Sequence, residues 1–275
     1  MTAFIIDILK ILLPVFYFLL VGTYGRAFFS DIKWAQRIKT PLLAFIIALH
    51  LTYLLLRAVA FSHPPVTNLF EIFSVLAFSV ALTYLVIELR AQHAETGYFI
   101  LNIAFFFQLA SSLFIKDSPQ VPEILRSLFF GLHVTAALLG YAAVTIAGSY
   151  GFLYLMLYHE MKATRFGVIY KKLPTLETIE RMAVTAIRLA FVILGCAITF
   201  GIIWLHHVYA NIYSYDPKLI GTVIIWILYG FLAVAPAVRN FKGRKMMIVA
   251  ILGFVVAIFS MTVVNIFFSG FHKFY

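Results

Sequence analysis

The sequence has little charge, one cysteine and no polar linker, and each shortage excludes a class of protein. Charged residues make up 12% of the 275 positions, against 63% hydrophobic ones, and the mean hydropathy is +1.00. A soluble globular domain carries about 25% charged residues, so the composition excludes one. The single Cys196 excludes a disulfide framework, a CxxC redox motif and a thiolate metal cluster. We interpret it as a small packing residue.

Long apolar runs take the place of the missing polar segments. One helical crossing of a bilayer needs roughly 20 apolar residues. Eight runs qualify: 11–29, 42–61, 69–89, 98–115, 127–157, 184–205, 219–238 and 246–268. The gaps between them have no space for a soluble domain, so the sequence predicts an all-α fold. We expect a polytopic membrane bundle of eight transmembrane helices, forming one domain over residues 1–275. The first run lacks a small-residue cleavage site, and we expect a retained span.

The basic residues gather on alternate connections. Four segments, at 30–41, 90–97, 158–183 and 239–245, carry thirteen Lys and Arg, whereas the N-terminus, the other connections and the tail carry five. By the positive-inside rule the four segments are cytoplasmic. Eight crossings then place both termini and the connection 206–218 outside. The formal net charge of +10 therefore indicates topology and contact with anionic lipid, and we expect no nucleic-acid site.

Local signals predict several helix ends. Asn68 and Glu71 have the spacing of a capping box at the start of the third run. Pro174 is expected to end any helix in the segment before it. Thr175 is a plausible N-cap for a helix that continues into the sixth run. The fifth run is about ten residues longer than a crossing requires, so we expect its end to project or tilt.

Eight histidines in so apolar a chain raise the question of a ligand. His50 is eight residues into the second run, near the bilayer midplane, where an ionisable group is a functional hypothesis by default. A hydrogen bond to a neighbouring helix is the alternative. Five others lie at or near the outer ends of spans and can converge on one face: His63, His133, His206, His207 and His272.

Neutral imidazoles in an aromatic, apolar setting suit haem iron better than zinc or calcium, which prefer cysteines or clustered carboxylates. Two histidines would bind the iron axially, tyrosines would cover the porphyrin, and basic side chains would pair with the propionates. Arg57 lies on the same helix face as His50 and can serve a propionate or reach outer headgroups. Ordinary interfacial histidines and tyrosines without a ligand are the alternative.

Four stretches follow one another along the chain: LHLTYLLLRAVAFSHPPVTNLFEIFSVLAF, LHVTAALLGYAAV, the region from LPTLETIERM to YANIYSYDPKLIGTVIIWILYG, and FKGRKMMIVAILGFVVAIFSMTVVNIFFSGFHKFY. Together they cover most of the chain, and they resemble the CcsA/HemX-type cytochrome c assembly proteins, which handle haem. The resemblance implies an integral membrane protein that holds haem b at its outer face. His133 in the second stretch and His272 in the fourth match the family's external haem-ligating histidines.

The segment NIYSYDPK resembles the family's tryptophan-rich haem-binding loop, in the style of W-x-W-D-P-K-E, but departs from it. Tyr213 and Tyr215 stand for the tryptophans and Leu219 for the glutamate, while Asp216 and Lys218 are retained. The resemblance implies haem contacts for these two tyrosines, the aspartate and the lysine. An interfacial turn that fixes the start of the seventh span is the alternative.

These departures favour the HemX-like branch of the family, as does LAVAPAV in place of a late histidine in the next span. The resemblance implies one of two functions. In the first, the protein holds haem in a bacterial cytoplasmic (inner) membrane, with a CcsB-like partner and apocytochrome c. In the second, it regulates haem biosynthesis by recruiting glutamyl-tRNA reductase to its cytoplasmic face, especially 160–182. Neither requires bond-making by the chain's own side chains. We therefore expect a haem carrier or a regulator more than an enzyme, and whether the protein is an enzyme stays open.

Overall fold

The computed structural model describes residues 2–30, 32–115, 127–164, 167–208, 217–237 and 241–267. The regular elements in these ranges are helices, and the ranges contain no strand, which confirms the predicted all-α class. The helices are α1 (Thr2–Phe29), α2 (Lys33–Phe61), α3 (Leu69–Ala91), α4 (Gly97–Phe114), α5 (Leu128–Lys162), α6 (Val168–Lys172), α7 (Leu176–Val208), α8 (Pro217–Val234) and α9 (Arg244–Phe267), with a short 3-10 helix at Ala235–Ala237.

Seven helical segments within the described ranges are long and apolar enough to cross a membrane. They lie in α1 to α5, in α7, and in α8 with the 3-10 helix that follows it. The protein is therefore a multi-pass membrane protein. Helix α9 occupies most of the eighth predicted run, 246–268. The count of eight crossings and the outside location of both termini stay predictions.

Several helices extend beyond the apolar runs that predicted them. Helix α1 begins at Thr2 and includes Asp7 and Lys10, and α2 begins at Lys33, nine residues before its run. A helix satisfies its own backbone hydrogen bonds, so it continues into the headgroup region, where polar side chains are accommodated. Hydropathy detects the apolar stretch of such a helix and misses its polar ends.

The described helices form two compact units. Unit 1 contains α1 to α4 and α6, and unit 2 contains α5 and α7 to α9. In unit 1, α1 packs on α2 and α4, and α3 packs on α4. Tyr17, Tyr24 and Tyr84 are buried there. The single domain expected over residues 1–275 stays a prediction.

A buried ion pair lies near the end of α2 in unit 1. Arg57 Nη2 donates to Glu71 Oε1 over 3.0 Å, with the two side chains 2% and 1% exposed. The backbone N–H and the hydroxyl of Thr67 donate to Glu71 Oε2. Asn68 Oδ1 accepts from the N–H groups of Phe70 and Glu71, which confirms it as the N-cap of α3. The carboxylate of the expected capping box therefore holds Thr67 and Arg57.

In unit 2, α5 packs along α7 and α9, and α8 packs against the same two helices. Helix α5 has 35 residues, about 52 Å at 1.5 Å per residue, so it is longer than one crossing requires, as predicted. Helix α7 begins after Thr175, whose Oγ1 accepts from the N–H of Thr178 at 3.3 Å. It continues without a break to Val208, which confirms that the polar helix start leads into the sixth span.

Removing one partner of the Arg57–Glu71 pair is expected to cost about 3 kcal/mol of unfolding free energy or more, because a buried charge loses its counter-ion. Glu71→Leu is expected to cost more than Arg57→Met, since Glu71 also accepts two bonds from Thr67. Unfolding in detergent micelles measures both changes. The control is the double variant, which leaves neither charge buried and should be more stable than Glu71→Leu alone. A double variant less stable than either single one contradicts this account.

Candidate functional site

His133 lies five residues after the start of α5 and contacts α7. Its Nδ1 is 2.8 Å from the backbone oxygen of Ala197. A carbonyl oxygen only accepts hydrogen bonds, so Nδ1 carries the proton, and in a neutral imidazole the lone pair then lies on Nε2. Histidines that bind metals in proteins use this arrangement, with one ring nitrogen donating to a carbonyl or carboxylate and the other facing the metal. The backbone of α7 thus fixes His133 in a tautomer that suits iron.

Gly201, one turn after Ala197 on α7, makes room for this imidazole. A Cβ at position 201 would lie 2.7 Å from His133 Nδ1 and 2.8 Å from its Cε1. Real Cβ atoms essentially never approach so closely, so a side chain there would push the ring away from the Ala197 carbonyl. Helix α7 therefore supplies both the hydrogen-bond acceptor and the space.

The contact continues one turn further along α7, at Trp204. This indole packs against Phe130 of α5, with ring centroids 5.3 Å apart, and it is 8% exposed. Among the described residues, nothing accepts a hydrogen bond from its buried Nε1–H. Five residues, which we call the His133 site, belong to this contact between two helices: Phe130, His133, Ala197, Gly201 and Trp204.

Several residues of the predicted haem site lie outside the described part of the chain. These are His272, Tyr213, Tyr215 and Asp216, together with the side chain of Lys218, whose backbone is in the first turn of α8. The structure therefore describes one of the two predicted axial histidines. The pairing of His133 with His272 stays a prediction.

His50 is fully buried in unit 1 and belongs to a chain of hydrogen bonds. The Tyr17 hydroxyl is 3.0 Å from Nδ1, and Ser74 Oγ is 3.0 Å from Nε2. Since the one hydroxyl proton of Ser74 goes to Gln108 Oε1, His50 Nε2 donates to Ser74 and Nδ1 accepts from Tyr17. The chain crosses four helices, from α1 through α2 and α3 to α4.

Of the two alternatives for His50, the geometry favours the hydrogen-bonded bundle histidine. Both ring nitrogens have polar partners, and the rings of Tyr53 and Phe78 pack on the imidazole at centroid distances of 6.2 and 5.6 Å. A role as a second haem ligand stays a prediction. It would require one of the two hydrogen bonds to break.

Arg57 forms an ion pair with Glu71. Its guanidinium also lies over the rings of Tyr53 and Phe61, 5.9 and 4.8 Å from their centroids. The charge of Arg57 is thus matched within unit 1 by a carboxylate. The contact with a propionate stays a prediction as well.

Sequence reasoning missed Ala197, Gly201 and Trp204 as neighbours of His133. Their spacing of four and then three residues places them on one face of α7. Small and aromatic residues at that spacing are typical of any contact between membrane helices. The pattern is therefore visible in the sequence, but it does not single out these positions before His133 is seen against them.

The sequence model of the cytochrome c assembly protein family matches residues 12–272, nearly the whole chain. The chain belongs to this family. Its ordered motifs, from the His50 helix to the tail, therefore reflect membership, and the resemblance drawn from them is confirmed at that level. The HemX-like branch stays a prediction.

Curated relatives agree with the family. The chain is similar to the cytochrome c biogenesis protein CcsA of Prochlorococcus marinus (strain MIT 9301), with 25% identity over 95% of this chain and 92% of the relative. CcsA of Guillardia theta is 25% identical over 76% of each chain. CcsA of Chlamydomonas reinhardtii is 26% identical over 80% of this chain and 64% of its own length.

Gly201→Ala is expected to displace the His133 imidazole and break its bond to Ala197, because the added methyl group would overlap the ring. Nitrogen-15 NMR of histidine-labelled protein in detergent should show that His133 loses its single Nδ1–H tautomer. Gly22→Ala on α1 is the control, since a Cβ there has nothing within 4 Å. An unchanged His133 signal in Gly201→Ala contradicts the proposed contact.

His50→Leu is expected to lower stability by about 1–3 kcal/mol, because two buried partners lose a hydrogen bond. His50→Gln, which can still donate and accept, should recover part of the loss. Unfolding midpoints and bound haem are measured together. A stable His50→Leu protein that has lost bound haem would instead indicate the ligand role.

Proposed function

We propose that this protein binds haem at the His133 site and holds it for transfer to apocytochrome c during cytochrome c biogenesis. The observation that carries the proposal is the His133 Nδ1–H bond to Ala197, which leaves Nε2 as the basic nitrogen of an imidazole held between two helices. Membership of the cytochrome c assembly family and the similarity to CcsA proteins support the same conclusion.

The residues of the His133 site fit haem on chemical grounds. A neutral histidine whose other nitrogen donates to a carbonyl is a typical axial ligand. The half-buried imidazole lies among apolar and aromatic side chains, with Phe130 and Trp204 one turn away. We propose that His272 would be the second histidine to hold haem b, as the family resemblance implies. Tyr213, Tyr215, Asp216 and Lys218 would border the porphyrin.

In this proposal the residues of the chain bind haem and orient it. When bound, haem supplies the iron that two imidazoles ligate and the porphyrin that an apocytochrome receives. His133 is oriented by the Ala197 carbonyl, and Gly201 keeps the imidazole against α7. Attachment of a c-type haem uses paired cysteines, and this chain has only Cys196. The thiols must therefore come from a partner, for which we propose apocytochrome c, in a complex with a CcsB-like protein.

The charge distribution supports the location of this site. The connection that follows α7 carries few basic residues, whereas the segments at the other ends of the helices are rich in them. We therefore propose that the His133 site lies at the outer face of a bacterial cytoplasmic membrane, on the side where apocytochromes receive haem.

No specific observation favours regulation of glutamyl-tRNA reductase. The relatives reported above are CcsA proteins, and their names concern cytochrome c biogenesis. The HemX-type function therefore stays a prediction of the sequence.

His133→Ala and His272→Ala are each expected to weaken or abolish the Soret band of the haem-loaded protein, because each removes an imidazole that would hold the iron. Visible spectra of purified protein, before and after haem is supplied, measure the change. His159→Ala is a matched control: His159 is also on α5, and its Nδ1 bonds a backbone carbonyl at 2.8 Å, but it is exposed near the opposite end.

Two outcomes would contradict the proposal. Wild-type protein whose spectrum after haem addition is that of free haem would refute haem binding itself. A band that stays unchanged in both histidine variants would place the ligands elsewhere in the chain.

A further inference from the structure

Trp204 is a buried hydrogen-bond donor whose partner is missing from the described residues. An indole N–H only donates, and leaving a buried donor without an acceptor is destabilising. Trp226 in the same unit shows the usual arrangement, since its Nε1 donates to the Phe191 carbonyl at 3.0 Å and its ring stacks on Phe191. The two tryptophans thus differ in whether a described residue accepts their N–H, and Trp204 is the more buried of the two.

The position of Trp204 connects it with His133. Trp204 follows Gly201 by three residues on α7, and Gly201 contacts the His133 imidazole. On α5, Phe130 precedes His133 by three residues and packs against Trp204. The indole therefore lies one helical turn from the imidazole, toward the end of the unit where α5 begins and α7 ends.

A tryptophan at a membrane interface commonly donates to water or a headgroup. Trp204 does not have that freedom, because the side chain is 8% exposed and its nitrogen is buried. No described residue supplies an acceptor, so an acceptor from a bound molecule would enter the contact between α5 and α7 to reach it. The ligand proposed for His133 would bring such an acceptor.

We propose that Trp204 is a ligand-binding residue whose Nε1–H donates to a carboxylate of the molecule held by His133. This inference rests on the proposed function, in which that molecule is haem and the carboxylate is a propionate. Propionates are the strongest acceptors that haem carries, and a hydrogen bond to a charged acceptor is about twice as strong as a neutral one. A neutral donor such as the indole N–H suits a site among apolar side chains, because burying a charged donor there would cost more.

The test compares two porphyrins that differ only in whether their propionate carboxylates are free or esterified. Protohaem and protohaem dimethyl ester are titrated into purified protein in detergent, and the Soret band gives the affinity for each. Trp204→Phe keeps an aromatic ring and removes the N–H. This variant is expected to lower the affinity for protohaem about tenfold, as loss of a hydrogen bond to a charged group does. It should change the affinity for the ester much less.

Trp226→Phe is the matched control, because its N–H is already bonded within the chain. It should change the affinities for the two porphyrins by equal factors. Wild-type protein alone gives a second measurement that does not depend on a variant folding well, since it should prefer protohaem to the ester.

Three results would overturn the inference. Equal affinity of wild type for both porphyrins would show that the carboxylate is not recognised. Equal weakening of both by Trp204→Phe would show a packing role. A wild type that binds neither porphyrin would refute the proposed function and the inference with it, whereas the first two results leave haem binding by His133 intact.

Discussion

A polar group buried in so apolar a helical bundle is destabilising unless it has a partner inside the chain or in a ligand, and this constraint acts in both units. In unit 1 the Tyr17–His50–Ser74–Gln108 chain and the Arg57–Glu71 pair meet it internally. In unit 2 the Nδ1–H of His133 meets it through the Ala197 carbonyl. The Trp204 N–H has no hydrogen-bond acceptor among the described residues.

The difference between His50 and His133 follows from that constraint. Both are histidines in membrane helices, and either type of position is a candidate for a metal ligand. His50 uses both ring nitrogens in hydrogen bonds and lies fully inside its unit. His133 is half-buried and is held by its Nδ1–H, which is how proteins orient an imidazole whose Nε2 binds a metal. Because the chain belongs to the cytochrome c assembly family, we propose that this geometry serves haem binding.

The sequence predicted the all-α class, the apolar spans and the helix starts at Asn68 and Thr175, because hydropathy and capping act over a few neighbouring residues. It did not predict that α1 and α2 extend into polar sequence, since a helix needs no apolar side chains to continue in the headgroup region. For the site, the motif pointed to His133, but its contacts with Ala197 and Gly201 depend on how α5 packs along α7. Such packing pairs residues more than sixty positions apart, and no local pattern encodes it.

The proposed haem site requires that His133 bind the iron through Nε2 while its Nδ1–H stays on the Ala197 carbonyl. A structure of the haem-loaded protein in lipid or detergent, determined by cryo-electron microscopy, tests it most directly. We expect an iron–Nε2 bond to His133 with Nδ1 still within hydrogen-bonding distance of Ala197. Iron held by other residues, or a His133 imidazole that has turned away from α7, would contradict it.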